Sequence, residues 1–323
     1  MKPVTKILLI AAALLILVGA LIYVGVMAKN DWNFASLGKD DFETNTYDVP
    51  EDFRSIDIRS DTENISFLPS GDGTCRVEFV EKKDEPHTVT VQDGTLRIEQ
   101  PEHTGWTINI FSFSFNEPKI TVYLPETEYE TLYIDESTGS VTLPGDFQFE
   151  RIDITASTGA VDCRASASGD LRIETSTGSI QVRDLRAGAL KLTVSTGKVA
   201  IQSVSCEGAV EVEVTTGKAE LTDLTCGSLV SEGSTGAMEM KNVVAAETMT
   251  IRRDTGDVRF EGCDAAELTV DTDTGDVTGT LLTEKVFIVR SDTGRIKVPE
   301  TTAGGKCKIT TDTGDIRIEI VQP

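Results

Sequence analysis

A Thr-Gly pair recurs ten times along the C-terminal part of this chain at a nearly constant spacing. Its glycines are Gly139, Gly159, Gly178, Gly197, Gly217, Gly236, Gly256, Gly275, Gly294 and Gly314. Every interval is 19 or 20 residues. A period of this length is typical of solenoids, in which each repeat forms one unit that stacks on the next. Any shorter motif inside the repeat therefore has to be interpreted as part of that unit.

The apolar residues keep the same phase as the glycines. An apolar side chain stands seven residues before each glycine, from Leu132 to Cys307. Another stands two residues after each glycine, from Val141 to Ile316. More apolar residues follow at intervals of two on both sides of the pair, which is strand periodicity and not helix periodicity. One repeat is therefore predicted to be a strand, a Thr-Gly turn, a second strand and a short return loop.

A single repeat cannot bury its apolar face, but stacked repeats can. Each strand would then pair in parallel with its equivalent one coil away. The sequence predicts an all-β protein, a parallel β-solenoid of about ten coils and roughly 50 Å in length at ~4.8 Å per coil. An antiparallel meander or sandwich is a weaker alternative, because it does not require every strand to repeat in the same phase.

Each residue of the turn has a predicted role. Glycine adopts the positive φ that a bend between two strands requires. The stacked threonines would form a ladder between coils. The residue before the threonine is Ser or Thr in the first six repeats and Asp in the last four. These types share a short side-chain oxygen that accepts a backbone N–H, so we expect this position to cap the turn.

The Asp-Thr-Gly triplet also occurs in the active sites of aspartic proteases, where two such aspartates meet. Here the triplet occurs four times, in phase with six Ser-Thr-Gly or Thr-Thr-Gly copies. The repeat explains all ten copies and catalysis would explain at most two, so no catalytic residue is predicted. A polysaccharide-active β-helix enzyme is a second alternative that rests on fold analogy alone. Such enzymes require a local carboxylate cluster. This chain spreads its acidic residues over many short coils, and it is expected not to be an enzyme.

The aspartates suggest one candidate metal site. A Ca²⁺ ladder would use Asp254, Asp257, Asp273, Asp276, Asp312 and Asp315. Like charges about one coil apart repel, and a hard cation bound by oxygen ligands relieves that repulsion. The favoured interpretation is that the aspartates cap turns and that Arg252, Arg253, Arg259, Arg290 and Arg295 neutralise them. No cofactor is predicted on this interpretation.

Charge and cysteine content restrict the partners further. The net charge is −23, which argues against nucleic acid or anionic lipid as the partner of the folded part. The six cysteines form no CxxC pair, so a zinc site is not expected. Cys206 and Cys226 would lie on neighbouring coils within disulfide range. We predict reduced core thiols there, with a disulfide as the alternative in an oxidising compartment.

The first 30 residues differ from the rest. Lys2 and Lys6 precede an uncharged run from Ile7 to Ala28, which is long enough for a helix that crosses a bilayer. Positive charge on the N-terminal side predicts a cytoplasmic N-terminus and an extracytoplasmic remainder. A cleaved signal peptide is the alternative, although this run exceeds the usual length of a signal core. Residues 1–30 are thus expected to be a single-pass anchor in the cell membrane.

Three segments follow the anchor. Residues 31–50 are expected to be a juxtamembrane stalk, 51–130 an irregular β cap, and 131–323 the solenoid repeats. A degenerate coil is predicted in the cap, with its turn at residues 61–64. Phe111, Phe113 and Phe115 are expected in the core of the cap. The C-terminal sheet edge is expected to be protected by Asp315, Arg317, Glu319 and Pro323.

The repeats, together with the segment "IDIRSDTENISFLPS" at residues 56–70, resemble a bacterial family of "putative adhesins" with β-strand repeats, related to the toastrack domains of envelope-stress proteins. The resemblance covers about residues 50–320 and implies a membrane-tethered extracytoplasmic β-solenoid. It implies no catalytic residues. The expected function is a non-enzymatic, adhesin-like scaffold that contacts a protein or glycan at the cell envelope. A regulatory part in envelope-stress sensing is the alternative.

Overall fold

The computed structural model describes residues 3–29, 32, 42–83, 85–100 and 117–321, and within the first range it describes the side chains of residues 12–25, 27 and 28. One helix, α1 (Pro3–Lys29), precedes the strands of the described chain. The strands are β1 (Phe42–Val49), β2 (Ser55–Ser60), β3 (Asn64–Pro69), β4 (Cys75–Lys82), β5 (Thr88–Gln92), β6 (Thr95–Glu99), β7 (Lys119–Leu124), β8 (Glu128–Thr138), β9 (Val141–Leu143), β10 (Gln148–Cys163), β11 (Ser166–Cys206), β12 (Ala209–Cys226), β13 (Ser228–Thr235), β14 (Met238–Thr255), β15 (Val258–Thr274), β16 (Val277–Leu281), β17 (Lys285–Thr293), β18 (Ile296–Lys297), β19 (Gly305–Thr313) and β20 (Ile316–Ile320).

The repeats form a parallel β-solenoid, and the predicted fold class is confirmed. Equivalent residues of successive repeats lie opposite each other, as Leu190 does to Val210 and Thr196 to Thr216. The predicted inward positions join in one continuous hydrophobic core. That core spans all ten Thr-Gly coils, because each coil covers the apolar edge of the one before it.

The coil has three sides in the middle of the solenoid. The strands continue through the Thr-Gly corner without a break, so that β11 is 41 residues long. Val204 on the return pairs with Leu224, and Leu224 pairs with Val243. The return, predicted as a loop, is therefore a third β ladder in these coils. Its inward residues close the core on the third side.

A second corner connects the second side of the coil to the third. It lies six residues after the repeat glycine and is occupied by Asp184, Ser203, Asp223, Asn242 and Gly262, all with φ between 52° and 62°. Asn and Asp tolerate this left-handed conformation better than most residues do. The Nδ2 of Asn242 donates to Oδ1 of Asp223 at 2.8 Å, which links two stacked corners.

The first coil of the chain lies second in the stack. β2 and β3 form the coil predicted around residues 61–64, and it pairs directly with β8 and β9. On its other side it pairs with β6 and β7. β4 pairs antiparallel with β7, β1 with β4, and β5 with β6. These antiparallel strands form an irregular cap over the N-terminal end of the solenoid.

The last coil of the chain is likewise not the last of the stack. β19 lies between β15 and β17, and β20 lies between β16 and β18. The prediction that every coil stacks on its neighbour in sequence is wrong for this pair. Gly305 packs against Ala266, where a Cβ would lie 1.8 Å from the carbonyl oxygen. The equivalent residue of the other coil is Lys285, whose Cβ this close contact excludes.

Two further expectations are corrected. The exposed C-terminal edge belongs to β17 and β18 and not to the residues around Asp315, Arg317 and Glu319, which lie in the inserted coil. Pro323 is outside the described residues. Residues 42–49, expected in the stalk, form β1 of the cap. Phe111, Phe113 and Phe115 also lie outside the described residues.

The N-terminal segment is helical from Pro3 to Lys29. Large apolar side chains along it are exposed, among them Leu15 and Ile16 at 73% each. Of the residues that are described, no helix is long and apolar enough to cross a membrane.

Candidate functional site

The Thr-Gly corners stack so closely that only glycine fits. A Cβ on Gly197 or Gly217 would lie 1.7 Å from the carbonyl oxygen of the preceding corner glycine. At the first corner, the Cβ on Gly139 would lie 2.2 Å from the carbonyl oxygen of Glu63. The positive φ that the sequence predicted occurs at seven of the ten corners. Close approach of the backbone is common to all ten, and it gives the more general reason for the glycine.

The residue after the glycine forms a hydrogen-bonded ladder in the last coils. The N–H of Asp276 donates to Oδ1 of Asp257 at 2.9 Å, and the N–H of Asp315 donates to Oδ1 of Asp276 at 2.7 Å. The N–H of Arg295 then donates to Oδ1 of Asp315 at 2.8 Å. The ladder follows the order of the coils in space and ends on an arginine, whose Nε lies 3.7 Å from Oδ2 of Asp315.

The residue before the threonine behaves differently. Asp254, Asp273 and Asp312 are exposed at the same corners. In the part of the chain that the structure describes, their carboxylates accept no backbone N–H, so the capping role predicted for them is wrong. No group of three His, Cys, Asp or Glu side chains among the described residues is arranged to hold a metal ion. The Ca²⁺ ladder stays a prediction.

The arginines divide between surface and interior. Arg290 donates from Nε to Oδ1 of Asp292 at 3.0 Å, while Arg252 pairs with Glu232 and not with an aspartate of the corners. Arg253, expected to neutralise the aspartates, is turned into the core and is 4% exposed. The predicted neutralisation therefore holds for Arg290 and Arg295 but not for Arg252 or Arg253.

Arg253 is held inside the solenoid by neutral groups. Its Nη2 donates to Oγ of Ser231 at 2.8 Å, and its Nη1 donates to the carbonyl oxygen of Arg252 at 2.9 Å. Gly233 leaves the space that it occupies, since a Cβ there would lie 2.9 Å from Nη1. Burial lowers the pKa of Arg253 to about 10. Ser231, a lapse in the apolar pattern of its column, is explained as the partner of this guanidinium.

A buried acidic cluster lies at the capped end. Oε2 of Glu81 lies 2.6 Å from Nδ1 of His87, and Nε2 of His87 lies 4.0 Å from Oε1 of Glu63. Oγ of Ser60 donates to Oε2 of Glu63 at 2.6 Å. Burial, opposed by a hydrogen bond from Ser60 and reinforced by the charge of Glu63, raises the pKa of Glu136 to about 7. Among the residues that the structure describes, Oε2 of Glu136 and Nε2 of His87 have no hydrogen-bond partner.

The outer surface of the second side carries alternating charges along the coils. Nζ of Lys218 lies 2.9 Å from Glu220 and 2.8 Å from Glu239 on the next coil. Nζ of Lys198, on the coil before, lies 2.6 Å from Glu220. Exposed pairs of this kind contribute at most about 1 kcal/mol each. They do, however, fix a regular pattern of charge on a flat, rigid face.

The cysteines are free buried thiols. Burial raises the pKa of Cys163, Cys226 and Cys307 to about 12, and it raises the pKa of Cys206 as well. The thiol of Cys206 lies 3.5 Å from the carbonyl oxygens of Gly188 and Ala209. Thiols of this kind are poor nucleophiles because little thiolate forms at neutral pH.

The corner that connects the third side of one coil to the first side of the next carries an open groove of about 800 Å³ near the capped end. Tyr129 and Phe149 stack at 5.5 Å beneath it, and Phe53 stacks on Tyr129 at 6.1 Å. In the next coils of the stack, the positions equivalent to Phe149 hold small residues such as Ala167 and Ala187. The groove forms where the aromatic side chains give way to alanine, and its rim carries both carboxylates and arginines.

Three features of the molecule escaped the sequence interpretation. Glu136 and Arg253 stand three residues before a repeat glycine, at an inward position that Val194 fills elsewhere. A charged residue at this position was the available signal. The left-handed second corner was also visible as a column of Asp, Ser and Asn six residues after the glycine. The exchanged order of the last two coils had no clear signal, since the position that Lys285 occupies, nine residues before the repeat glycine, also holds Glu130, Glu150 and Glu247 in other coils.

Three solved structures are similar to this chain over about three quarters of its length. A "putative adhesin" from Bacteroides fragilis NCTC 9343 is 16% identical, with 76% of this chain and 97% of that chain covered and a TM-score of 0.45. A "putative lipid binding protein" from Parabacteroides distasonis ATCC 8503 is 18% identical, covering 75% and 98%, with a TM-score of 0.49. A "putative adhesin" from Parabacteroides merdae ATCC 43184 is 12% identical, covering 76% and 98%, with a TM-score of 0.48.

The family model carries the assignment. No curated protein matches this chain. The model described as Toastrack DUF4097 matches twice, at residues 53–217 and 207–323, and together these matches include every strand from β2 to β20. The chain therefore belongs to the Toastrack DUF4097 family.

Proposed function

We propose that this protein is a non-enzymatic, adhesin-like scaffold of the cell envelope. Its N-terminal helix would hold it in the membrane, with the N-terminus cytoplasmic and the solenoid outside the cell. The uncharged run from Ile7 to Ala28 and the exposed apolar side chains of α1 support this anchoring. The named structural neighbours reported above are adhesins or binding proteins by description.

The observation that carries the proposal is the position of the cap. The first strand after the helix is β1, and β1 belongs to the cap at one end of the solenoid. The stack of coils extends from that end for roughly 55 Å at ~4.8 Å per coil. A rod attached at one end keeps its charged faces and its far end away from the attachment point. Such a shape suits contact with a protein or glycan at a distance.

The test combines topology with binding. Intact cells that make the full chain would be treated with an added protease that cannot enter the cytoplasm. We expect loss of the solenoid from whole-cell extracts, and we expect cells that make the full chain to bind glycan- or protein-coated surfaces better than cells that lack it. Full protection of the solenoid from the protease, with no difference in binding, would refute the proposal.

The identity of the partner distinguishes the proposed scaffold from a role in envelope-stress sensing. Proximity labelling from a tag at the C-terminus of the full chain would mark membrane-bound regulators if the protein acts in signalling. Labelling of secreted or surface proteins, with no regulator among them, is the result expected for a scaffold.

A further inference from the structure

The far end of the solenoid is open. β17 pairs with β19 alone, and β18 pairs with β20 alone, so one edge of this coil has no strand beside it in the described chain. The opposite end of the stack is covered by β4 and β1. The unpaired edge of β17 is nine residues long, which exceeds the mean length of a strand. An exposed edge of this length is a template for pairing with another chain.

The open coil is apolar on both faces. Its strand carries the continuous run Val286–Val289, whereas no equivalent segment of the other Thr-Gly coils has four consecutive apolar residues. The outward side chains Val286 and Ile288 are 39% and 52% exposed, and the inward Ile296 is 44% exposed. At the outward positions of the adjoining coil stand Lys306 and Lys308. A continuous apolar run is typical of a strand that is covered on both sides. Here the outward side is exposed, and the inward Phe287 and Val289 are only partly buried.

A second copy of this chain fits the open end. Every parallel pair in the solenoid already joins one coil to a similar coil, so pairing at this edge continues the ladder. At the other end the coil strands β6 and β7 are already paired with β5 and β4, so the coil edge left for this pairing is that of β17 and β18, and two copies meet there open end to open end. Two-fold symmetry then makes the two β17 strands antiparallel. With the axis at Ile288, Phe287 lies opposite the other copy's Val289, and Ile288 lies opposite its own equivalent.

The charges permit this register. It places Val286 opposite Arg290 of the other copy. The guanidinium of Arg290 is already bound to Asp292 within its own chain, at 3.0 Å from Nε to Oδ1. Its aliphatic part is thus left to cover the opposing valine. Side chains opposite each other in an antiparallel pair point to the same face, so inward residues meet inward residues.

We propose that the protein self-associates through the open coil, with β17 of one copy pairing antiparallel with β17 of another. One nine-residue edge buries far less than the roughly 800 Å² per partner of a standard interface, so a single contact is weak and transient. Many copies on one surface would strengthen it through multivalency. The net charge of −23 opposes the approach of two copies, so association should increase as salt screens that charge.

The geometry has a further consequence, which rests on the proposed function. Because α1 joins the capped end, two associated copies place their helices at opposite ends of an assembly about 110 Å long. Such a pair connects two facing membranes and not two neighbours in one membrane. The surface partner of the scaffold would then be another copy of the scaffold.

Cysteine cross-linking of the full chain in detergent micelles tests the register. The two Ile288→Cys residues would lie within the 4.5–5.5 Å of opposed Cα atoms, which permits a disulfide. The two Val286→Cys residues would lie about 13 Å apart, which does not. We expect mild oxidation to give a dimer on a non-reducing gel for Ile288→Cys and a monomer for Val286→Cys. The native thiols are buried, and burial raises the pKa of four of them to about 12, so they compete little.

A charge variant supplies the second measurement. Ile288→Glu would place two like charges at the two-fold axis, whereas Thr225→Glu adds the same charge to an exposed position in mid-solenoid. Sedimentation of the full chain in micelles at increasing salt should show association for wild type and for Thr225→Glu, and a loss of at least tenfold in association constant for Ile288→Glu. Equal cross-linking of both cysteine variants, no cross-linking of either, or equal sedimentation of both glutamate variants would overturn the inference. None of these results depends on where the protein resides, so failure here leaves the proposed function standing, and failure of export leaves the cross-link intact.

Discussion

The two ends of this solenoid have the same coil order but differ in whether the outermost coil is covered. At each end the terminal coil of the chain is inserted one layer inward, as β2 and β3 are at one end and β19 and β20 at the other. At the capped end Phe67 and Phe79 are almost completely buried. At the open end Phe287 is only partly buried, and Ile296 is 44% exposed. The cap, and not the coil stack, therefore determines which end is protected from solvent.

The largest expected effect comes from removing the inserted coil. Deletion of residues 299–323 removes β19 and β20 and leaves β17 beside β15, where Lys285 cannot take the place of Gly305. We expect this deletion to be as unstable as deletion of residues 285–323, and both to lie more than about 4 kcal/mol below the full chain. Urea unfolding of the three proteins measures the difference. A clearly more stable shorter deletion would show that β17 can stack on β15.

The stability cost of replacing a corner glycine provides a second comparison of the two ends. A Cβ on Gly139 would meet a backbone oxygen at 2.2 Å, and one on Gly294 would meet a backbone oxygen at 2.0 Å. The coil of Gly139 lies between other coils, whereas the coil of Gly294 is free on one side and can move. We expect Gly139→Ala to cost on the order of 4 kcal/mol and Gly294→Ala about half of that. Gly71→Ala, where nothing lies within 4 Å of the new Cβ, is the control for urea unfolding.

The two phenylalanines provide a third comparison. Phe67 is 1% exposed under the cap, so Phe67→Ala should cost about 3–5 kcal/mol. Phe287 has lost part of its covering, so Phe287→Ala should cost roughly half as much in dilute protein. Thermal unfolding at low and high protein concentration checks both values. If self-association covers Phe287, the cost of its removal rises with concentration, while the cost at Phe67 does not.

Between pH 5 and pH 8 we expect a pH effect on stability from the buried carboxyl group of Glu136 at the capped end. The pKa of Glu136 is raised from 4.5 to about 7, so the folded state binds this proton more tightly than the unfolded state does. Stability is then full below about pH 4.5 and falls as pH rises through 7, by up to about 3 kcal/mol. Glu136→Gln should remove this loss in urea unfolding at pH 5 and pH 8. Glu128→Gln, at an exposed position, should leave the slope unchanged.

The smallest effect is expected in the aspartate ladder. Asp276→Ala removes the acceptor of the N–H of Asp315 and should cost about 1 kcal/mol. Asp276→Asn keeps an acceptor oxygen and should be nearly neutral. EDTA and Ca²⁺ should leave the melting temperature of the wild type unchanged. A rise on adding Ca²⁺ that disappears in Asp276→Asn would support the metal ladder over the hydrogen-bonded one.

The regular part of the fold was open to prediction because it repeats. The glycine column and the apolar columns from Leu132 to Ile316 fixed the strands, their faces and their parallel register. The order of the last two coils was not fixed, since both coils carry the Thr-Gly pair and apolar residues at the same inward positions. Gly305 packs against the backbone of Ala266, and that contact becomes visible only in three dimensions.

The corner chemistry shows the same limit. Sequence indicated that aspartates stand at the corners, but it assigned the cap to Asp254 and its equivalents. In the structure the residue after the glycine, such as Asp257, accepts the N–H of the next coil. The residue before the threonine and the residue after the glycine both offer a carboxylate at the same corner. The direction in which the chain leaves the corner determines which one reaches the neighbouring backbone.

The inserted coils also bear on the order in which the molecule can form. β17 emerges during synthesis before β19, yet its place in the stack exists only after β19 has paired with β15. Domains generally fold from the N-terminus as synthesis proceeds. The coils up to β16 can therefore assemble one after another, whereas residues 285–320 have to be completed before any of them can dock. A ribosome paused before residue 320 would hold a rod that lacks these two layers.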